Sequence, residues 1–239
     1  MPSATIFGGI MSNDNLPDWE RVLSSAAHLQ SILPDAVLVG GTFAALYAGH
    51  RLSTDANHVP PALHERFDRV LAELESVAGW KTSRINRPMQ ILGSLDGIET
   101  GVRQLIRDEP LETTQIERQG QKITIPTQAE ILRIKGVLIL RRNATRDYLD
   151  FVALADRMGD ERMVEALQIF DRLYPQPNDE SALQQLQIQL SNPLPYDLEE
   201  LGLAEYKNLD SRWQNWETVK TACARYAILI FDRIVGLDE

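Results

Sequence analysis

Residues 39 to 57, VGGTFAALYAGHRLSTDAN, hold the groups best suited to chemistry in this chain. Gly40-Gly41-Thr42 follows a short apolar run and precedes a helix-like segment. Glycines let backbone N–H groups approach an anion closely, and a helix start adds the positive end of its dipole. With the Thr42 hydroxyl as a further donor, the turn could cradle a phosphate. A plain tight turn is the commoner use of Gly-Gly before a helix. Farther on, Arg51 and Ser53 lead into Asp55-Ala56-Asn57. Strand residues two apart share a face, and two carboxylates so placed can chelate Mg²⁺ ions that clamp a triphosphate. Asn57 supplies only a neutral oxygen, and an amide cannot serve as a base. A solvated polar loop is the competing reading of STDAN.

A second group comprises Lys135, Arg141, Arg142, Arg146, Asp147 and Asp150. In one continuous helix Lys135, Arg142 and Arg146 would lie within about one face. Asn143-Ala144-Thr145 interrupts that helix, but both halves can still meet a cleft. The set is either phosphate-facing or a solvated face laced with ion pairs.

The elements that must position these residues follow from periodicity and punctuation. Residues 15–33 are predicted helical and stopped by Pro34-Asp35; 36–40 read as a buried strand. A helix of about two turns over 42–49 ends at a glycine, and 52–59 reads as extended. Residues 62–78 form an amphipathic helix on Leu63, Phe67, Val70, Leu71, Leu74 and Val77. Strands are expected at 80–86, 89–95, 98–105, 111–117 and 121–126, with hairpin turns at Asp96-Gly97 and Gln119-Gly120. "TQAE" at 127–130 is a capping box, with Thr127 as N-cap and Glu130 at the third helical position. Its helix runs to about Arg142, and another begins near Arg146. Further helical patterns lie at 160–173, 179–190, 197–208 and 211–235. The expectation is an α+β chain: a mixed-sheet core over 1–126, followed by a helical domain over 127–239 that completes the cleft.

GGT, a short helix and then HRLSTDAN resemble the opening signature of the polymerase β-like nucleotidyltransferases, closest to the bacterial AbiEii and MenT toxin branch. That family carries Gly-Gly-Ser/Thr, a spacer of about a dozen residues, and Asp-x-Asp after a serine. Gly40, Gly41, Thr42, Ser53 and Asp55 match; Asn57 replaces the second aspartate. The segment PTQAEILRIKGVLILRRNATRDYLDFVAL is similar to the family's later region, which places Lys135 toward the nucleotide and Asp147 at the head of the next helix. The resemblance implies Mg²⁺-dependent transfer of an NMP from an NTP to an acceptor hydroxyl. Asp55 and Asn57 would hold metal; Gly40, Gly41, Thr42, Arg51, Ser53, Lys135 and Arg142 would hold the nucleotide. Asp147 would orient Lys135 or Arg142, or act on the acceptor. It also implies a cognate antitoxin and a role in toxin-antitoxin or phage-defence systems, with the acceptor open between tRNA, as in the toxin branch, and proteins or small molecules such as aminoglycosides, as in other relatives of the fold. With Asn57, an impaired enzyme, a silent nucleotide- or partner-binding member and an engineered inactive form stay open, as does a structural or interaction protein whose glycine turn and arginine cluster are only architectural. A third carboxylate on a neighbouring strand is undecided among Asp96, Glu99 and Glu112, Asp96 reading better as a turn residue.

Composition bounds these readings. The chain has 239 residues, 44% of them hydrophobic and 24% charged, which suits a globular protein with a sizeable core. No apolar run approaches the roughly 18 residues of a membrane span. The N-terminal stretch lacks a secretory pattern, so the expected setting is the cytoplasm. One cysteine, Cys223, excludes an internal disulfide framework and reads as a core residue. A net charge of -10 argues against a general nucleic-acid coat, though a local basic patch remains open. His28, His50, His58 and His64 show no metal-ligand spacing; His50 and His58 flank the candidate site and read as polar edge residues. Trp213 and Trp216, with Tyr206 upstream, read as a helical packing stripe or an interface rather than a base-stacking platform, the NAT sequon at 143–145 as chance, and the final GLDE as a frayed tail.

Overall fold

The computed structural model describes residues 16–118, 120–200 and 202–233. The expected N-terminal and GLDE features, and Gln119 of one turn, lie outside them. Helix α1 (Leu16–Ile32) leads through the broken Pro34-Asp35 segment to strand β1 (Val37–Val39), buried along its whole length. Helix α2 (Gly41–Ala48) follows at once and is closed by Gly49 in the left-handed conformation, φ 66°. Strand β2 (Ala56–Val59) is shorter than the extended stretch expected from residue 52; Asp55 stands just ahead of it. Helix α3 (Leu63–Glu75) puts Phe67, Val70, Leu71 and Leu74 inside, as its amphipathic pattern requires.

Strands β3 (Trp80–Asn86), β4 (Gln90–Leu95) and β5 (Ile98–Arg103) then form a meander. Asp96 (φ 54°) and Gly97 (φ 80°) make the two-residue turn between β4 and β5, with Leu95 opposite Ile98. The five-stranded sheet has the order β1-β2-β5-β4-β3. It is antiparallel except between β2 and β5, which run parallel with Asn57 opposite Gly101. Strand β3 is an edge and carries Lys81 and Arg84, charges that discourage pairing with another chain. Strands β6 (Thr113–Arg118) and β7 (Gln121–Pro126) form a separate hairpin, with β7 beside β1.

The remainder is helical: α4 (Gln128–Arg142), α5 (Thr145–Met158), α6 (Asp160–Leu167), α7 (Phe170–Leu173), α8 (Ala182–Ser191) and α9 (Trp216–Arg233). Thr127 caps α4, its hydroxyl accepting from the Glu130 backbone at 3.2 Å. The reciprocal half of the expected capping box is absent. Glu130 is fully buried and turns instead to the guanidiniums of Arg107 and Arg133. The expected helix over 197–208 is also absent: the described residues there are turns and one 3-10 turn at Leu203–Glu205. Gly202 and the chain's return to residues 50–52 explain this. Lys207 accepts from the Leu52 amide and the Asp210 amide donates to His50, so backbone bonds are spent between segments rather than within a helix.

Two cores flank the sheet. One packs α3 and the second half of α1 against Trp80, Ile91, Leu95 and Val102. The other runs from Trp19, Val22 and Leu23 of α1 through Phe43 and Ile125 into the helices after residue 127. Cys223, Trp213 and Tyr226 lie in this larger core, and the Tyr148 ring meets Trp216 edge-on at 6.1 Å. Burial pushes the Cys223 thiol up, which keeps it protonated and unreactive. No described helix is long and apolar enough to cross a membrane.

Candidate functional site

A cleft of about 430 Å³ opens where the β1–α2 turn, β2, the end of β5 and the α4–α5 junction meet. Gly40 enters α2 with φ 101° and ψ -162°, a region open essentially to glycine alone. Gly41 has no room for a side chain, because a Cβ there would overlap the Arg51 guanidinium. Both glycines line the cleft, but Thr42 does not. It is fully buried, and its hydroxyl donates to the Asp55 carbonyl at 2.5 Å. Thr42 thus ties α2 to the Asp55 segment and has no donor left for a ligand.

Beneath the cleft lies a buried charge network. Asp150 of α5 is fully buried and accepts from Arg51 Nε at 2.7 Å, Arg51 Nη2 at 3.0 Å and Lys135 Nζ at 2.6 Å. It also bonds His50 Nε2 at 2.8 Å, so His50 is a core residue rather than the polar edge residue expected. The end of α2 at Gly49 is what turns both His50 and Arg51 inward. Asp147, also fully buried, accepts from Arg142 Nε at 2.5 Å and lies 3.3 Å from Lys135 Nζ. Burial alone would raise the Asp150 carboxyl, but Arg51 and Lys135 outweigh it and hold it well below the usual carboxylate range. His58 is buried without a charged partner and is driven down to about 3, hence neutral. Lys135 reaches the cleft floor, though its ammonium sits between two carboxylates.

In the cleft lining, Asp55 Oδ1 accepts from Ser53 Oγ at 2.7 Å and Oδ2 from Asn57 Nδ2 at 2.6 Å. Asn57 turns its amide oxygen the other way, accepting from Arg103 Nε at 3.2 Å. Arg103 was not singled out in the sequence. It reaches the site through the parallel register of β2 and β5, a pairing between segments more than forty residues apart. Partial burial and the nearby Arg142 and Arg146 lower its pKa, while Asp55 opposes that shift. Tyr206, expected to be a packing residue, also lines the cleft, brought there by the 50–52 backbone contacts; the Arg51 guanidinium lies 5.9 Å from its ring. Burial raises its phenol to about 12, so the hydroxyl stays a neutral donor. Met89, Leu105, Ile106, Leu111, Ile134 and Leu138 add apolar area to the lining.

These residues do not fit the divalent ion that the Asp-x-Asp resemblance implies. Mg²⁺ requires several oxygen ligands in near-octahedral array. Among the described residues Asp55 is the single carboxylate lining the cleft, its oxygens already accept from Ser53 and Asn57, and the Asn57 oxygen faces a guanidinium. Neither Asp96, bonded to His28, nor Glu112, paired with Arg133, supplies a third carboxylate to this wall; Glu99 does not line the cleft but shares an adjoining groove of about 180 Å³ with Asp55, Asn57 and Arg103. Among the described residues no three His, Cys, Asp or Glu side chains are grouped to hold a metal. What the cleft offers is cationic: Arg51, Arg103, Lys135, Arg142 and Arg146 surround it. A more open groove of about 760 Å³ along α9, walled by the Arg212–Asp156 and Arg225–Asp160 pairs, contains none of the motif residues.

No protein-family model matches the chain. It is 30% identical over 232 residues to the heme uptake protein MmpL11 of Mycobacterium tuberculosis, covering 90% of this chain and 23% of that one. It is 32% identical over 129 residues to the mycolic acid-containing lipids exporter MmpL11 of Mycolicibacterium smegmatis, covering 53% and 13% respectively. The chain therefore spans about a quarter or less of the length of the curated relatives it matches. Among solved structures, a candidate nucleotidyltransferase from H. pylori aligns with a TM-score of 0.50 at 17% identity, over 96% of this chain and all of the other. The mixed sheet and the helices that follow it are the fold of a nucleotidyltransferase.

Proposed function

We propose that the chain is a nucleotidyltransferase-fold protein that holds a nucleoside triphosphate in this cleft. The observation that carries the reading is the set of five cations around the Gly40-Gly41 turn, with Asp55 as the one carboxylate among the described lining residues, in a chain of net charge -10. Counting Asp147 and Asp150 beneath, five cations face three carboxylates. The surplus suits a phosphate chain, and guanidiniums pair with phosphate oxygens in fork geometry. The apolar area of Ile106, Leu111 and Leu138 suits a base, as ligand pockets combine apolar area with a few charged groups. Calorimetry with ATP, CTP, GTP and UTP tests this directly. Arg146 is exposed, so Arg146→Ala should leave the fold intact while weakening the preferred nucleotide about tenfold. Displacement of nucleotide by hemin or a long-chain fatty acid would move the reading to an anionic amphiphile, nearer to what the mycobacterial relatives are named for.

Transfer of an NMP to an acceptor hydroxyl is a second reading, favoured by the retained Ser53–Asp55 pair beside the glycine turn. A tRNA acceptor, a cognate antitoxin, a cytoplasmic setting, and a division into a 1–126 core and a 127–239 helical domain belong to that reading. Asn57 stands against it in this chain. Asn57→Asp would place two carboxylates where the Asn57 amide now donates a hydrogen bond to Asp55, and like charges so close cannot both ionise without a cation between them. The expected result is a variant that Mg²⁺ stabilises thermally while the parent chain is unmoved. Label transfer from NTP to bulk tRNA by the variant, and not by the parent, would identify residue 57 as what withholds the chemistry.

A further inference from the structure

We infer that the cleft takes its nucleoside triphosphate free of divalent metal, with the Arg103 guanidinium supplying the positive charge beside residue 57. The inference rests on the nucleotide reading above and adds the ionic form of the ligand. Three observations converge on it. The Asn57 amide is pinned between opposite charges, its NH₂ toward Asp55 at 2.6 Å and its oxygen toward Arg103 at 3.2 Å. For Asn57 to offer its oxygen to a metal beside Asp55, both contacts would have to break. Arg103 comes from β5, where the parallel pairing sets Gly101 opposite Asn57, so that strand brings a guanidinium into the cleft, while its Glu99 lines only the adjoining groove that Asp55 and Asn57 share.

The third observation is repulsion. Arg103 lines the same cleft as Arg142 and Arg146; burial first, and then these two cations, lower its pKa against the opposing pull of Asp55. Arg142 is answered by Asp147, and Arg51 and Lys135 by Asp150, but among the described residues no carboxylate is ion-paired to Arg146, and Arg103 bonds a neutral amide. A divalent cation brought into that group would add to the repulsion, whereas a polyphosphate would relieve it. The metal-free triphosphate carries two more negative charges than its magnesium complex, so it gains more from the same guanidiniums.

The deciding experiment is titration of ATP into the full chain in excess Mg²⁺ and, separately, in EDTA. ATP should bind at least as tightly in EDTA, and about three- to tenfold tighter at low salt. Arg103→Gln keeps a polar contact with Asn57 but loses the charge; it should weaken binding in EDTA about tenfold and remove the preference for the metal-free form. Arg103 is exposed, so both chains should fold alike, which circular dichroism checks. Binding that requires Mg²⁺ in the parent chain overturns the inference while leaving the nucleotide reading in place. Absence of binding in both conditions removes that reading too.

Discussion

Asp150→Ala should cost the fold about 3–5 kcal/mol, because it strips the partner from buried cations rather than merely losing contacts. Asp150 is fully buried and its two oxygens serve Arg51, Lys135 and His50 at 2.6–3.0 Å. Without it, Arg51 keeps no ion pair among the described residues, only the longer-range field of Asp55, and Lys135 keeps Asp147 at 3.3 Å. Since a domain's whole stability is about 5–15 kcal/mol, urea denaturation should show a large fall in midpoint. Lys135→Met is the contrasting variant. There Asp147 keeps Arg142 and Asp150 keeps Arg51, so the cost should be about 1–2 kcal/mol. Equal costs for the two would show that the network has no hub at Asp150.

The same residue sets a pH dependence whose sign follows from its depressed folded pKa. A carboxyl held below its unfolded value of about 3.9 contributes stability that is fully present above that value and fades as pH falls toward the folded pKa. The parent chain should keep this contribution at pH 5 and lose it progressively below about pH 4. Asp150→Asn has no proton to bind there, so its stability should change less steeply over that acid range.

Much of the architecture was legible because it is local. Alternation in β4, the apolar face of α3, the Asp96-Gly97 turn and the Thr127 cap each rest on neighbours within a few residues, where periodicity and turn chemistry decide. The misreadings are non-local. Glu130 has the spacing of a capping box, but Arg107 from 23 residues away outcompetes the cap. His50 and Tyr206 were misjudged because an aspartate a hundred residues on, and a backbone bond from Leu52 to Lys207, decide where they sit. Arg103 was invisible for the same reason: its place beside Asn57 exists only once β2 and β5 pair in parallel. The glycine turn, Ser53, Asp55, Asn57, Lys135 and Arg142 do converge on one cleft, though Thr42 and Asp147 lie behind its wall.

Gly41→Ala should weaken nucleotide binding by about 30-fold, and by a route that singles out Arg51. A Cβ at residue 41 would overlap Arg51 Nη2 and come within 3.1 Å of Ser53 Oγ. A guanidinium at the end of a free side chain could step aside cheaply. This one is bonded twice to buried Asp150, so moving it gives up charge-assisted bonds in a low-dielectric site. Gly40→Ala makes the comparison sharper. Space exists there, the nearest atoms being Asn57 Cβ and Nδ2 at 3.7 Å, but φ of 101° strains any residue with a Cβ. Its penalty should be about 1–3 kcal/mol of stability from backbone strain, independent of Arg51. A double-mutant cycle separates the two causes. In an Arg51→Ala background, Gly41→Ala should cost little more, because its obstacle is gone, whereas Gly40→Ala should cost what it costs in the parent chain. If Gly41→Ala and Arg51→Ala are instead additive, the second glycine is required by the ligand's approach to the backbone and not by the arginine behind it.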